Sequence, residues 1–389
     1  MNKYSRLKIL FFAIIFCGTF KLAENSLAAP AVTGVSGTVE HGQNITITGT
    51  EFGTKSTAAP WKFDDFSGGA NGQTLNEYTN GWSTSITSPL CGDPWPDHNC
   101  IPVYSNSIIR PNTTMSLLSR FPTVYQGPYD SQFWITSDEP FSDVYIDYYL
   151  YADTDSPYAR NMKFFRLLSE RYDAHLAPYF DSYYVSYRTS AELTTDNTSA
   201  NNPGACSTSS GGNGVVKNLP YIADTSNNWI HVQILNRLNT PGTADGTMQM
   251  WVNGVNYKDV ANYCIREADN TDAWKTLGLG KEWYQDTVGD SGSDNYWSNV
   301  YVDKTPARVM LCNNSNFSSA TICEPQIPSG WGATSITTAV NIGDLPSTGT
   351  AYLFVFDADN NHNATGYPVT LGAMPDTTPP ASPTGLSVN

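Results

Sequence analysis

The chain has 389 residues with 36 acidic and 21 basic side chains, which gives a net charge of −15. Nucleic acid and anionic lipid are poor partners for such a chain, because both carry charge of the same sign and repel it. No apolar run after residue 28 approaches the roughly 18 residues that span a bilayer, so no transmembrane segment is predicted.

The first residues have the composition of an export signal. Basic side chains precede the apolar run Ile9–Phe16, and Ser26–Ala28 offers the small residues that suit cleavage. Residues 1–28 are therefore predicted to be a signal peptide. The mature protein is expected to be secreted, to the periplasm, the cell surface or the medium.

Six cysteines follow the signal peptide, and an even number in an exported chain indicates disulfides. Fifteen pairings are possible for six cysteines. Two pairs would close short local loops, and the third follows by elimination. The predicted disulfides are Cys91–Cys100, Cys312–Cys323 and Cys206–Cys264.

A strand with a two-sided pattern follows the signal peptide. Ile45 and Ile47 point to one side of it, and Gly49 and Gly53 then allow the chain to turn. Residues 32–55 resemble the opening of an IPT/TIG domain, an immunoglobulin-like β-sandwich. The resemblance implies further strands directly afterwards, but none is found there.

Strand-like segments that would complete such a domain occur about 250 residues later. They are Ala307–Leu311, Thr334–Val340, Gly349–Phe356 and Tyr367–Leu371. Neither end of the chain has enough strands to enclose a core alone. We therefore expect residues 29–60 and 304–373 to form one split IPT/TIG-like sandwich, and the alternative is two unrelated modules.

The segment Asn227–Val255 reads as two strands joined by a polar turn. Ile230, Val232 and Ile234 alternate with polar or outward residues, and the second strand ends at the tight turn Asn253-Gly254. This pair resembles strands of concanavalin A-like and laminin G-like jelly rolls. The resemblance implies that residues 61–303 form an all-β, two-sheet sandwich, a fold that hosts binding modules as well as enzymes.

The leading functional expectation is a non-catalytic carbohydrate-binding or adhesion module whose partner is a polysaccharide or glycoconjugate. Sugar rings stack on flat aromatic side chains, and polar side chains bind their hydroxyl groups. Trp251 faces away from the apolar side of its strand, and Trp283 and Tyr284 lie in a loop-like segment. The candidate ligand-binding residues are Trp251, Trp283, Tyr284, His231, Gln233 and Arg166.

The first alternative is a polysaccharide lyase or glycoside hydrolase. No strand carries the pair of carboxylates that a hydrolase needs on one face. For a lyase, the candidate cleft residues are Arg166, His231, Gln233 and Tyr187. A second alternative is a structural spacer of a surface assembly, which needs no site.

Calcium is the candidate cofactor, and otherwise none is expected. Asp286, Asp290 and Asp294 lie in a short acidic segment, and carboxylate oxygens are the ligands that calcium prefers. Residues 374–389 are rich in proline and are expected to be a stiff linker. Their last residues resemble the first strand of a fibronectin type III domain, which predicts further modules as partners.

Overall fold

The computed structural model describes residues 28–75, 80–84, 101–120, 129–152, 162–169, 178–185, 188–195, 214–216, 228–263, 266, 268, 271–283 and 294–372. In these ranges the regular structure is β-strand, with one short 3-10 turn at Phe317–Ser319. No helix in the same ranges is long and apolar enough to cross a membrane. The expected all-β fold class is confirmed.

The strands in chain order are β1 (Ala31–Ser36), β2 (Asn44–Thr50), β3 (Lys62–Asp64), β4 (Ser83–Thr84), β5 (Val103–Ser105), β6 (Ser116–Arg120), β7 (Tyr129–Phe141), β8 (Asp143–Ala152), β9 (Met162–Ser169), β10 (Pro178–Val185), β11 (Arg188–Thr195), β12 (Gly214–Val216), β13 (Trp229–Arg237), β14 (Gly246–Val252), β15 (Val255–Tyr263), β16 (Trp274–Trp283), β17 (Asp294–Asp303), β18 (Arg308–Cys312), β19 (Cys323–Pro325), β20 (Ile327–Trp331), β21 (Ser335–Ala339), β22 (Gly349–Phe356) and β23 (Tyr367–Leu371).

Two large antiparallel sheets form a sandwich from the middle of the chain. The seven-stranded sheet has the order β12-β11-β10-β9-β16-β7-β4, and the eight-stranded sheet has the order β15-β14-β13-β8-β17-β6-β5, with β3 added beside β17. Side chains from both sheets meet in one large apolar core. This is the two-sheet jelly-roll sandwich that the sequence predicts.

Alternation along the strands decides which side chains enter that core. In β13, Ile230, Val232 and Ile234 point inward, and in β14 Met248 and Met250 do the same. Because successive side chains of a strand point to opposite faces, the residues between them lie on the outer face of the eight-stranded sheet. Each fully buried apolar side chain contributes about 1.5–3 kcal/mol to folding.

Strands from the two ends of the chain share a second pair of sheets. One has the order β1-β2-β21-β20 and the other β19-β18-β22-β23. Ile47 of β2 is in register with Ile336 of β21. Both belong to a core that also contains Val309 and Leu353. Residues before the jelly roll and residues after it are therefore buried together.

This second sandwich, which we call the flanking sandwich (β1, β2 and β18–β23), packs on the outer face of the eight-stranded sheet. The guanidinium carbon of Arg308 lies 4.1 Å from the ring centre of Tyr145 and 3.7 Å from that of Phe356. The Tyr145 hydroxyl contacts the sulfur of Met310 at 3.9 Å. The jelly roll consequently has one outer face that is covered by the rest of the chain.

Candidate functional site

Arg166 and the pair His231 and Gln233 lie on opposite sides of the jelly roll. Arg166 belongs to β9 of the seven-stranded sheet, whereas His231 and Gln233 belong to β13 of the eight-stranded sheet. All three alternate with neighbours that enter the core between the sheets, so they point away from each other. The prediction that they line one cleft is wrong, because the whole thickness of the sandwich separates them.

His231 and Gln233 are enclosed in a polar network on the covered face of the eight-stranded sheet. His231 Nε2 lies 2.7 Å from Asp147 Oδ1. The Gln233 amide donates to the Tyr145 hydroxyl at 2.7 Å and to Asp147 Oδ2 at 3.0 Å. His231 is 5% exposed and Gln233 is 4% exposed. A polymer has no access to these groups, so their role as ligand-binding or catalytic residues is not supported.

Tyr149 connects this network to the flanking sandwich. Its ring stacks on His231 with centres 4.3 Å apart, and its hydroxyl donates to Glu324 at 2.7 Å. The guanidinium carbon of Arg110 lies 3.1 Å from the centre of the same ring. Arg110 pairs with Glu324 at 2.8 Å and with Asp344 at 2.9 Å. The face is therefore closed by ion pairs as well as by packing.

Burial dominates the titration of these groups. It raises the pKa of the Glu324 carboxyl, and the nearby guanidinium of Arg110 opposes that rise. Burial also raises the pKa of the Tyr149 hydroxyl well above its usual value. For Arg110, burial acts to lower the pKa, but the carboxylates of Glu324 and Asp344 contribute to a net rise. The network stabilises the interface between the sandwiches.

The predicted aromatic platforms are not brought together. Trp251 is partly buried and packs against the cluster of Tyr145, Leu235 and Tyr301 on the covered face. Trp283 is the last residue of strand β16 and does not lie in a loop. Tyr284 and Tyr187 lie outside the described residues. Trp251 is therefore partly buried on the outer side of the eight-stranded sheet, the side on which the flanking sandwich packs, and a role as a sugar-stacking platform is not supported by this position.

The described residues include only part of the predicted cysteine pairs and of the predicted calcium site. Cys312 and Cys323 form the expected disulfide, which joins β18 to β19. The other predicted disulfide residues, Cys91, Cys100, Cys206 and Cys264, lie outside the described residues, as do Asp286 and Asp290. Asp294 begins β17. The described part of the chain contains no group of three His, Cys, Asp or Glu side chains that could hold a metal.

The outer face of the seven-stranded sheet carries a different set of residues, which we call the Trp134 face (Gln132, Trp134, Thr136, Arg166, Thr276, Gly278 and Gly280). Gly278 of β16 is in register with Trp134 of β7 on one side and with Arg166 of β9 on the other. Trp134 and Arg166 are partly exposed, and Thr136 is exposed. This face therefore presents a guanidinium, an indole and hydroxyl groups to its surroundings.

The indole of Trp134 fills the space that a side chain at position 278 would occupy. A Cβ at residue 278 would lie 2.3 Å from Cζ3 of Trp134. Gly280, two residues further along β16, has φ +109 and is in register with Gln132. Glycine suits position 280 because the backbone there has a positive φ, whereas glycine at position 278 leaves space for the indole of Trp134.

Gln132 is the second polar side chain of interest on this face. It is 2% exposed, and neither atom of its amide has a hydrogen-bond partner among the described residues. Unmade hydrogen bonds of a buried amide cost about 1–3 kcal/mol. On the other side of Trp134, the hydroxyl groups of Thr136 and Thr276 are 3.1 Å apart.

The sequence contained a signal for this face that the strand assignment missed. Gln132, Trp134 and Thr136 alternate with Phe133 and Ile135, which is the pattern of a strand with one buried side. The following Asp138-Glu139-Pro140 obscured it, because such residues are uncommon in strands.

Guanidinium and indole groups suit an acidic sugar. A guanidinium binds a carboxylate through charge-assisted hydrogen bonds. An indole supports the apolar face of a pyranose ring. The seven residues that define the Trp134 face include no carboxylate, so these seven do not supply the pair of acids that hydrolysis needs.

No protein-family model matches the chain, and neither does any curated protein sequence. Several solved structures resemble it. An endo-beta-1,4-glucuronan lyase from the fungus Trichoderma reesei has a TM-score of 0.42 and 10% identity, covering 63% of this chain and 96% of its own. The cellulose induced protein Cip1 has a TM-score of 0.39 and 14% identity, covering 63% and 97%. The alginate lyase Aly36B has a TM-score of 0.37 and 12% identity, covering 60% and 96%.

These comparisons correct the leading expectation of a non-catalytic carbohydrate-binding or adhesion module. Besides Cip1, the similar structures include polysaccharide lyases and a beta-glucanase. At this level of identity the likeness concerns the fold, and no activity passes from those proteins to this chain. The chain is an all-β protein with a concanavalin-like sandwich of two antiparallel sheets.

Proposed function

We propose that the protein is an enzyme that cuts a polysaccharide containing uronic acid, by elimination, on the Trp134 face. One observation carries this proposal. The flanking sandwich fills the outer face of the eight-stranded sheet, and the opposite outer face holds the partly exposed Arg166 and Trp134. A long substrate therefore has one broad sheet face to lie on, and that face carries a cation.

Elimination requires a group that neutralises the carboxylate of the uronic acid. The C5–H bond of a uronate breaks, a C4=C5 double bond forms, and the C4–O bond to the next sugar breaks as the leaving oxygen takes up a proton. The carboxylate at C5 must be neutralised for the C5 proton to become acidic. We assign that role to Arg166, which is partly exposed on this face.

A base has to accept the proton, and the described side chains of the Trp134 face include none. Strand β10 adjoins β9 in the same sheet, with Tyr179 in register with Arg166. A tyrosine within hydrogen-bond reach of C5 can serve as such a base. Replacing Tyr179 by Phe tests whether strand β10 supplies this base.

The experiment is incubation of the purified protein with uronic acid polysaccharides and with neutral β-glucans. Elimination leaves an unsaturated sugar end that absorbs in the ultraviolet, whereas hydrolysis leaves a reducing end without that absorbance. We expect ultraviolet-absorbing ends from a uronate polymer, and we expect Arg166→Ala to lower the rate by at least about a hundredfold.

The matched control is Arg237→Ala, which removes a partly exposed arginine from the other sheet, where it pairs with Asp143 at 3.0 Å. It should keep the rate of the unaltered protein. Equal rates in Arg166→Ala and Arg237→Ala would refute the assignment. Chain shortening without ultraviolet absorbance would indicate a glycoside hydrolase, and no shortening of any polymer would refute catalysis.

We further propose that the flanking sandwich is the split IPT/TIG-like domain. The register of β2 with β21 and the core shared by Ile47 and Ile336 support this assignment. We also propose that the protein is secreted, since a disulfide such as Cys312–Cys323 persists in oxidising compartments. Calcium at Asp286, Asp290 and Asp294 stays a prediction, which a thermal titration with calcium and a chelator tests.

A further inference from the structure

We propose that Trp134, seated over Gly278, forms the floor of a sugar subsite beside Arg166 and selects β-linked pyranoses that have a flat C–H face. This inference deepens the proposed function and rests on it. Arg166 would hold the charged sugar, and Trp134 would hold the neighbouring sugar of the same chain.

The register of the strands sets the spacing of the two groups. Gly278 is the residue of β16 that pairs with both Trp134 and Arg166. Adjacent strands are about 4.8 Å apart, so the backbones of Trp134 and Arg166 are about 10 Å apart across the glycine. Because the indole ring lies above Gly278, it is about one strand spacing, roughly 4.8 Å, from the backbone of Arg166, so the ring and the guanidinium can contact neighbouring sugars of an extended chain.

The glycine lets the indole lie across the sheet. A Cβ at residue 278 would approach Cζ3, Cε3 and Cη2 of Trp134 to 2.3, 2.4 and 2.6 Å, so the six-membered ring occupies the space above this glycine. Gly278 is not among the residues with positive φ. Its backbone would accept any residue, and the requirement at this position is room for the ring.

Trp134 differs in its exposure from the tryptophans of the core. Trp82, Trp274 and Trp297 are 4%, 0% and 0% exposed and belong to the core, whereas Trp134 is partly exposed on the outer face. A partly exposed indole offers a large rigid surface to a ligand at a low cost in conformational entropy.

The shape of an indole favours some sugars over others. A pyranose with equatorial linkages presents axial C–H groups on its face, and these contact a flat ring closely. An axial linkage or axial hydroxyl on that face holds the ring away from the indole. Beside the carboxylate-binding Arg166, this arrangement selects a β-linked chain with equatorial linkages.

The experiment compares Trp134→Ala, Trp134→Phe and Gly278→Val in the full chain. Trp134→Ala should raise KM for a β-linked uronate polymer by roughly three- to tenfold while kcat changes little. Trp134→Phe should recover part of the loss. Gly278→Val should raise KM as Trp134→Ala does, because the valine displaces the ring.

The control is Trp251→Ala, which removes a partly buried tryptophan from the covered face and should leave KM unchanged. Melting temperatures establish that each variant is folded. An unchanged KM in a folded Trp134→Ala variant overturns the subsite. So does an equal rise in KM with α-linked and β-linked polymers.

Failure of the proposed function would show itself differently. If the unaltered protein cuts no polymer, its retardation in native gels containing β-linked or α-linked polysaccharide measures binding without catalysis. Retardation by the β-linked polymer that Trp134→Ala abolishes and Trp251→Ala retains supports the subsite even then. Absence of both cutting and retardation overturns the subsite together with the proposed function.

Discussion

The Nη2 atom of Arg110 lies 2.8 Å from Oε1 of Glu324, and both side chains are fully excluded from solvent. Arg110 comes from the jelly roll and Glu324 from strand β19 of the flanking sandwich. Glu324 also accepts a hydrogen bond from Tyr149 and one from the backbone N–H of Asp344. The two sandwiches are thus joined by a buried ion pair within a polar network that also includes Tyr149 and Asp344.

Breaking this pair should destabilise the protein strongly. We expect Arg110→Met and Glu324→Gln each to lower the free energy of unfolding by about 3–5 kcal/mol, because Arg110→Met leaves the buried Glu324 without its cation and Glu324→Gln leaves the buried Arg110 with Asp344 alone. The double variant should lose less than the sum of the two. Denaturant unfolding of the three variants measures the coupling.

The exposed pair of Arg237 and Asp143 provides the comparison. Its side chains are 29% and 40% exposed, so its loss should cost less than about 1 kcal/mol. Equal costs at the two pairs would contradict the view that the Arg110–Glu324 pair holds the interface together.

His231 and Gln233 should matter for stability and not for catalysis. We expect His231→Leu and Gln233→Leu to lower the melting temperature, since each leaves Asp147 with fewer hydrogen bonds in a buried site. Below the melting temperature, kcat/KM should match that of the unaltered protein. A loss of activity without a change in melting temperature would show that these residues belong to the active site.

Asp303 should make stability depend on pH. Its carboxylate is 2.5 Å from Lys55 Nζ, yet burial outweighs this pairing and raises the pKa of Asp303 to about 6. In the unfolded chain the same carboxyl loses its proton near pH 4. Between these values the folded protein keeps a proton that the unfolded chain has released, so the free energy of unfolding falls as the pH rises.

The expected fall from pH 4 to pH 6 is on the order of 2–3 kcal/mol. Asp303→Asn removes this titration and should flatten the curve, leaving the contribution of other buried carboxyls such as Glu324, whose pKa burial also raises. Chemical unfolding at several pH values tests this. A curve for Asp303→Asn as steep as that of the unaltered protein would contradict the assignment.

The disulfide should stabilise β18 against β19. Cys312 and Cys323 are 11 residues apart in sequence, and closing a loop of this size contributes about 2–3 kcal/mol by restricting the unfolded chain. The double replacement Cys312→Ala with Cys323→Ala should lower the free energy of unfolding by this amount. Unfolding in the absence of reductant, compared with the unaltered protein, measures the difference.

Alternation of apolar residues identified most strands correctly. The predicted segments Gly349–Phe356 and Tyr367–Leu371 are strands with those bounds, and Ile230, Val232 and Ile234 face the core as expected. Strands are set by local patterns with a period of two, and such patterns can be read without knowing any neighbour.

The location of the candidate site could not be obtained in this way. Alternation placed His231 and Gln233 correctly on the face of β13 opposite to its apolar side chains, but it holds no information on what covers that face. Burial of Tyr149 and His231 depends on Arg110 and Glu324, which are separated by more than 200 residues of chain. A contact of that range depends on how the sandwiches pack.

The sequence was therefore sufficient to predict an all-β protein, many of its strands and the Cys312–Cys323 disulfide. Each of these features is determined by residues that lie close together along the chain. Only the folded arrangement decided that Arg166 and Trp134 are partly exposed on their sheet face while His231 is buried. Whether a polar side chain meets solvent or another domain is set by the distant surface that packs against it.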